Sequence, residues 1–314
     1  MRHLSLMLLT IGLLQACSSG TAPTPLATGI LSSVGEEPVS TDEFNAYWYS
    51  GQAEITTYTL EQARYGGTHP GKSILVFVTE DFNTDKQVKR ELTTGDSYTS
   101  VLKLNKIDRF ITGIYDYSLM LSTFTPIRSD DHPHCLKTTL TAQDWCGQST
   151  MQLNKQDIGY RAQIRSYFEM EGDMDVDLGE AVLEDEIWTR ARLNPTALPQ
   201  GDFDLIPSSA HLRLRHQAVE VVKAKGRLVI EAMSDASERY VYKVDFPDGR
   251  HWELYIQSVF PYRIQGWEMQ VPKGDQILTT RAEADRSIKS AYWGQNEPNA
   301  RVLRERLGLD VGSE

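Results

Sequence analysis

The stretch from Tyr240 to Ile256 constrains the fold more than any other part of the sequence. Large apolar side chains alternate with polar ones in two runs, separated by the turn residues Pro247-Asp248-Gly249. Alternation with a period of two on either side of a turn predicts a β-hairpin, and one apolar face is typical of an antiparallel sheet that is wet on the other. The predicted apolar face comprises Tyr240, Tyr242, Val244, Phe246, Trp252, Leu254 and Ile256.

These seven side chains require a cover, because a bare patch of this size exceeds what soluble monomers usually expose. Two covers are open at the level of sequence. One is the protein's own helices, predicted near 41–50, 180–192 and 281–307, and the other is a bound apolar ligand. The residues that would face such a ligand are Tyr240, Tyr242, Phe246 and Trp252.

The remaining patterns predict a β-rich α+β protein. Helices are predicted from a capping box at Ser40–Glu43, over 180–192, and near the C-terminus over 281–292 and 299–307. Further strands are predicted over 55–64, 73–78, 98–104, 111–125, 136–142, 145–153, 160–169, 212–215 and 228–231. The expected architecture is a curved antiparallel sheet, or sheets, with a few helices packed on one face, similar to a half-barrel.

The N-terminus predicts a lipoprotein. Arg2 and His3 precede the apolar run Leu4–Leu14, which is too short to span a ~30 Å hydrocarbon core and reads as a signal peptide. The sequence Leu14-Gln15-Ala16-Cys17 resembles a bacterial lipobox, in which the cysteine is acylated, for example with palmitate. By resemblance to proteobacterial sorting rules, Ser18 implies the outer membrane, facing the periplasm.

The expected organisation is a signal peptide over 1–16, a lipidated tether over 17–39 and a β-rich periplasmic domain over 40–314. The tether is small, polar and rich in Pro and Gly, which favours a flexible chain. A Pro/Gly-rich connector at 195–207 is a possible subdivision. The membrane partner is the N-terminal lipid, since no other apolar run approaches 18 residues.

Charge excludes one class of partner. The formal net charge of −11 argues against nucleic acid, which demands a cationic surface. Residues Gly66–Ser73 match the P-loop pattern letter for letter, but Ser73 runs straight into a β pattern where a phosphate-binding loop needs a helix. We therefore expect a hairpin loop and no nucleotide, and the sequence indicates no cofactor.

Cys135 and Cys146 are the two cysteines of the predicted periplasmic domain, and an oxidising compartment favours a disulfide between them. The alternative is one buried and one exposed thiol.

Two acidic or histidine-rich segments are weak metal candidates. Asp173, Asp175, Asp177 and Glu184 fit four positions of a calcium loop, but Leu178 occupies the position that requires glycine, which favours a solvated acidic turn. His132 and His134 lie in the loop Asp130–Cys135, where a zinc site would need further ligands, which favours a polar loop. We expect no metal at either segment.

Several longer stretches carry a family resemblance. They are Tyr47–Ile55, Ile74–Phe82, His132–Gly147, Leu183–Trp188, Phe260–Glu268 and Ala291–Trp293. They resemble a group of Gram-negative lipoproteins without established chemistry, some labelled "septum formation inhibitor Maf". The S-x-S-P-R-R signature of true Maf pyrophosphatases does not occur here, so no catalytic residue is implied. The expected architecture is also similar to LolA/LolB-type half-barrels.

The leading functional hypothesis is a non-enzymatic, membrane-tethered lipoprotein that binds an apolar ligand or an envelope partner. A purely structural interaction module and a metal-dependent hydrolase using the Asp130–Cys135 loop are the alternatives.

The lipobox yields a direct prediction. Cys17→Ser removes the acylated atom, so we expect an unprocessed or soluble form where the wild type partitions with membranes. Cell fractionation and intact-mass measurement of both forms check this. Identical partitioning of wild type and variant would contradict it.

Overall fold

A computed structural model describes residues 41–309, except 93, 96, 129 and 131. The predicted signal peptide over 1–16, Cys17 and the rest of the tether over 17–39 lie outside the described residues, as do Ser40 and Asp131. No helix among the described residues is long and apolar enough to cross a membrane.

The described strands belong to one sheet. They are β1 (Ala53–Arg64), β2 (Gly67–Asn83), β3 (Val88–Lys89), β4 (Tyr98–Thr112), β5 (Tyr115–Pro126), β6 (Lys137–Asp144), β7 (Gly147–Lys155), β8 (Tyr160–Ser166), β9 (Asp173–Leu178), β10 (Val182–Leu183), β11 (Gly201–Ile206), β12 (Val222–Ala232), β13 (Glu238–Asp245), β14 (His251–Gln257), β15 (Ile264–Lys273) and β16 (Gln276–Ser290).

Most neighbouring strands are consecutive in the chain. All neighbouring pairs are antiparallel except β10–β11, which is parallel. β1 pairs with β16, so the beginning and end of the domain meet within the sheet. The sheet edges are β9 and β10, which only residues 179–181 separate in the chain. The sheet is curved and does not close, which confirms the predicted β-rich α+β class. Strands on both sides of 195–207 belong to it.

Four α-helices accompany the sheet in the described part of the chain. They are α1 (Thr41–Trp48), α2 (Glu184–Leu193), α3 (Ser209–Arg215) and α4 (Val302–Arg306), with 3-10 turns at Pro195–Ala197, Tyr292–Gly294 and Pro298–Arg301. The predicted helices at 41–50, 180–192 and 299–307 are therefore present.

α2 fills the concave side of the sheet. Its Trp188 ring lies 5.3 Å from Trp252 on β14 and 5.0 Å from Trp267 on β15, and the helix also contacts β4 and β5. A helix that touches strands from both halves of a curved sheet must lie within the curve. Most of the apolar core is accordingly built around α2.

The predicted hairpin is confirmed as β13 and β14, joined at Pro247–Gly249. Six of its seven apolar side chains are buried, and Tyr240 is half-buried. The Tyr242 hydroxyl donates to the carbonyl of Pro199 at 2.8 Å, in the segment that follows α2. The protein's own residues thus cover this face, which was the first of the two alternatives.

Residues 212–215, predicted as a strand from the alternation of Leu and Arg, form part of α3 instead. The helix begins at Ser209, where the backbone N–H groups of Ser208 and Ser209 donate to the carboxylates of Glu184 and Asp185. These carboxylates lie on α2 and satisfy donors that a helix start leaves unpaired. A tertiary contact thus decides the secondary structure.

The prediction of a helix over residues 281–290 is also wrong, because these residues belong to strand β16. Their alanines and charged residues favour a helix in isolation. Here β16 pairs with β15 on one side and β1 on the other, and Ala282 lies between Leu60 and Trp267. Hydrogen bonding along both edges outweighs a local preference of a few tenths of a kcal/mol per residue.

The P-loop-like segment is a strand for most of its length. The turn is confined to Tyr65 and Gly66, so the predicted hairpin loop was too long, and Gly67–Ser73 begin β2 and pair with β1. From Gly71 onward the strand also pairs with β4. Its backbone therefore lacks the loop-to-helix geometry that holds a phosphate.

One buried ion pair fixes the C-terminal end of α2. Arg192 and Glu54 are 0 % and 2 % exposed and form a bidentate pair of 2.5 and 2.9 Å. Burial alone would raise the pKa of Glu54, but the Arg192 guanidinium outweighs it and lowers the pKa. The guanidinium also lies 4.7 Å from the centre of the Phe77 ring and donates to the Pro261 carbonyl.

Removing one partner of this pair should destabilise the fold strongly. Arg192→Met leaves the buried Glu54 carboxylate without its bidentate partner and with only the more exposed Arg263 at 3.5 Å, at an expected cost of about 3–5 kcal/mol in the free energy of unfolding. The double variant Glu54→Leu/Arg192→Met should recover most of that loss. Urea unfolding of wild type, both single variants and the double variant measures this, and additive losses would contradict it.

Candidate functional site

The predicted disulfide is not formed, and this prediction was wrong. Cys135 is a buried free thiol and Cys146 an exposed one. They lie at opposite ends of β6, whose eight residues span roughly 25 Å, whereas a disulfide needs Cα atoms about 4–7 Å apart. The two cysteines are close in the chain, but the backbone between them is extended and keeps them far apart in space.

The acidic run is a strand rather than a calcium loop or turn. Asp173, Asp175 and Asp177 lie on β9, and Asp175 and Asp177 form ion pairs with arginines of β8. Glu184 belongs to the N-terminus of α2 and pairs with Arg250 at 2.8 Å. Three of the four carboxylates of the calcium pattern are therefore engaged by arginines, Asp175 and Asp177 by those of β8 and Glu184 by Arg250.

The histidine-containing loop is also tied into the fold. His134 lies 3.0 Å from Glu180 and 3.9 Å from Glu186. The Cys135 thiol is directed at the carbonyls of Phe124 and Lys137, and burial raises its pKa to about 12. His132 lines a separate surface cavity. The described residues contain no group of three or more His, Cys, Asp and Glu side chains suited to a metal ion.

A cavity of about 100 Å³ lies between α3, α2 and the concave face of the sheet. Three indoles, those of Trp188, Trp252 and Trp267, form much of its wall. They come from α2, β14 and β15, and their burial follows from the alternation of the strands and the helical spacing of α2. The result is a chamber whose wall combines these indoles and several aliphatic side chains with nine polar or charged residues.

An ion pair lies on the floor of this cavity. Lys106 and Asp108 share one face of β4, where Leu102, Leu104 and Phe110 are buried apolar residues, and their side chains are each 11 % exposed. The ammonium of Lys106 lies 5.2 Å from the centre of the Trp267 ring, and the Ser73 hydroxyl donates to Asp108 at 2.5 Å. The pair breaks an otherwise apolar inner face.

α3 forms the opposite wall through Ala210, His211, Leu214 and Arg215, which are half-buried. Burial, followed by the charges of Arg250 and Arg215, lowers the pKa of His211 to about 2. His211 is therefore neutral across the physiological range. It also borders a second cavity of about 260 Å³, lined by Phe246 and Arg250 among others.

The structure brings together part of the predicted ligand-facing set. Trp252 lines the first cavity and Phe246 the second, whereas Tyr240 and Tyr242 line neither. Sequence reasoning missed Lys106, Asp108, Trp188 and Trp267 as neighbours. The one signal available was the pair Lys106 and Asp108, two charges two residues apart on a face that is otherwise apolar.

Comparisons with family models, curated proteins and solved structures found no match to this chain. The roles proposed for its residues accordingly rest on their own contacts, burial and charge.

Beside the cavity, the N-terminus of α2 carries three consecutive buried acids, Glu184, Asp185 and Glu186. Glu184 has Arg250, and Glu186 has Arg190 at 3.1 Å. Asp185 has no cationic partner among the described residues and accepts from the Ser209 N–H, while its Oδ1 has no hydrogen-bond partner. Burial raises its pKa from 3.8 to about 6.

A raised carboxyl pKa makes the free energy of unfolding fall as pH rises, because the folded state holds the proton longer than the unfolded state. For Asp185 the stabilising proton is fully present below pH ~4 and is lost as pH rises through about 6. Asp185→Asn cannot titrate, so its stability relative to wild type should rise by ~3 kcal/mol from pH 4 to pH 8.

Urea unfolding of wild type and variant at several pH values measures this difference. Asp157→Asn removes the same charge at an exposed turn and provides the reference. A stability difference between Asp185→Asn and wild type that stays constant over this range would contradict the prediction.

Proposed function

We propose that this chain is a membrane-tethered periplasmic lipoprotein, without catalytic activity of its own, that binds a compact, mainly apolar ligand in the tryptophan-lined cavity. The run Leu4–Cys17 supports the tether and the export, as does the resemblance to Gram-negative lipoproteins. The single observation that carries the ligand is the cavity between α2, α3 and the sheet.

The composition of the cavity wall supports ligand binding. Small-molecule sites are concave, mainly apolar and carry a small number of placed polar groups. An apolar cavity of about 150 Å³ is enough for a benzene ring. The first cavity, at about 100 Å³, is smaller than this by itself, but it meets a second of about 260 Å³ at His211, and the two together suit a ring-sized group and not a long acyl chain.

The charges of the cavity support recognition rather than proton transfer. Lys106 is paired with Asp108, and Glu184 is held by Arg250 through contacts of 2.8 and 2.9 Å. A general acid or base needs a pKa near the operating pH, and His211 is far from it. The paired charges, the guanidinium groups of Arg64 and Arg215 and a neutral imidazole orient a ligand without exchanging protons with it.

A second candidate function, docking of an envelope partner, has its own supporting observation. Ile114, Trp145 and Met170 are 82 %, 68 % and 98 % exposed. They lie at the β4–β5, β6–β7 and β8–β9 connections, which an antiparallel meander places at one end of the sheet. Exposed aromatic and aliphatic side chains of this kind are enriched in protein contacts.

Filling the cavity separates the two candidates. Ala210 lines it from α3, and Ala210→Leu adds three carbons at similar helix propensity. We expect the variant to fold and to lose a ligand that co-purifies with the wild type from its own envelope. Native mass spectrometry and tryptophan fluorescence measure ligand content.

Ala46→Leu, at an exposed position of α1, is the matched control and should keep the ligand. Absence of any bound molecule in the wild type, or equal ligand content in Ala210→Leu, would contradict the cavity as the site and favour the docking function.

A further inference from the structure

Arg64 is a buried cation without a buried anion beside it. The residue is 8 % exposed and lines the tryptophan-lined cavity at the end of β1. Its guanidinium donates to the Leu214 carbonyl and to the Tyr117 hydroxyl, and it lies 4.3 Å from the centre of the Tyr65 ring. Its Nε has no hydrogen-bond partner. A buried charge is costly unless it is paired, so the position calls for a counter-charge.

Arg215 brings a second guanidinium to the same cavity from α3. Burial lowers its pKa and the positive charge of Arg64 lowers it further, while the negative charge of Asp248 partly offsets these effects. Among the described residues, neither arginine has a carboxylate within ion-pair distance. Among the lining residues three cations, Arg64, Lys106 and Arg215, stand against two carboxylates, Asp108 and Glu184, so the cavity lining carries a net positive charge.

The carboxylates that line the cavity are already neutralised. Asp108 pairs with Lys106, and Glu184 pairs with Arg250 at 2.8 Å. The charges of Arg64 and Arg215 therefore have no carboxylate partner in the cavity wall. This local excess of positive charge stands in a protein whose formal net charge is −11. An electropositive chamber in an acidic protein is the arrangement expected for selecting an anion.

We infer that the cavity binds an anionic ligand, in which a carboxylate or phosphate group lies between Arg64 and Arg215 and a compact apolar body packs against the tryptophans. The planar fork of N–H donors on a guanidinium group can bind two oxygens of a carboxylate or phosphate at once, and these charge-assisted hydrogen bonds are among its strongest. The unpartnered Nε of Arg64 is a donor available for this contact. The inference rests on the proposed function, and it names the chemical class of the ligand.

The test compares ligands that differ only in charge. 4-Fluorobenzoate and 4-fluorophenyl phosphate are the anions, and 4-fluorobenzyl alcohol is the neutral analogue of similar shape. Their affinities for the full lipoprotein in non-ionic detergent are measured by ¹⁹F NMR. We expect at least one anion to bind about tenfold more tightly than the alcohol, because charge-assisted hydrogen bonds roughly double the strength of neutral ones.

The variants assign that preference to the two arginines. Arg215→Gln changes a half-buried side chain and should abolish the tenfold preference while leaving the affinity for the alcohol unchanged. Arg64→Gln should do the same, with its melting temperature recorded because it also loses internal hydrogen bonds. Arg227→Gln removes one charge from the exposed surface of β12 and should leave both affinities unchanged.

Three outcomes are distinguishable. An anion preference lost in Arg215→Gln supports the inference. Equal affinities for the anions and the alcohol overturn the inference and leave the proposed ligand-binding function standing. Binding of none of the three probes, together with no co-purifying molecule, overturns both.

Discussion

The fold depends on a charged helix held inside a curved sheet. α2 carries buried charges at both ends, and each needs a partner because an isolated charge in the interior costs several kcal/mol. Glu184 at the N-terminal end pairs with Arg250, beside β14, and Arg192 at the C-terminal end pairs with Glu54 on β1. The two pairs thus attach the ends of the helix to the sheet at β1 and beside β14, with two strands between them in the order β14-β15-β16-β1.

The same charges generate the cavity. Glu184 and Asp185 accept the N–H groups at the start of α3 and thereby fix that helix over the concave face. With α3 held there, a space of about 100 Å³ lies between it and the tryptophans beneath. The partly polar character of the wall is a consequence of how the helices are held.

The sequence predicted a helix or strand correctly where the spacing of its own side chains determines which face is buried. The hairpin of β13 and β14, most strands before β9 and the helix α2 follow from side-chain periodicity. Distant residues decide two of the mispredicted segments, α3 through Glu184 and Asp185, and β16 through pairing with β1 and β15. The cavity was beyond prediction for the same reason, since Lys106, Trp188 and Arg215 meet only through the sheet's curvature.

The buried arginine links stability with ligand binding. Arg64 relies on a carbonyl, a tyrosine hydroxyl and an aromatic face, which are weaker partners than the carboxylates that hold Arg192 and Arg250. An anion between Arg64 and Arg215 would supply the missing partner and relieve the repulsion between the two guanidinium groups. A ligand that binds only the folded state stabilises it by mass action. Ligand binding would therefore stabilise the fold at the two core charges that have the weakest partners in the protein itself.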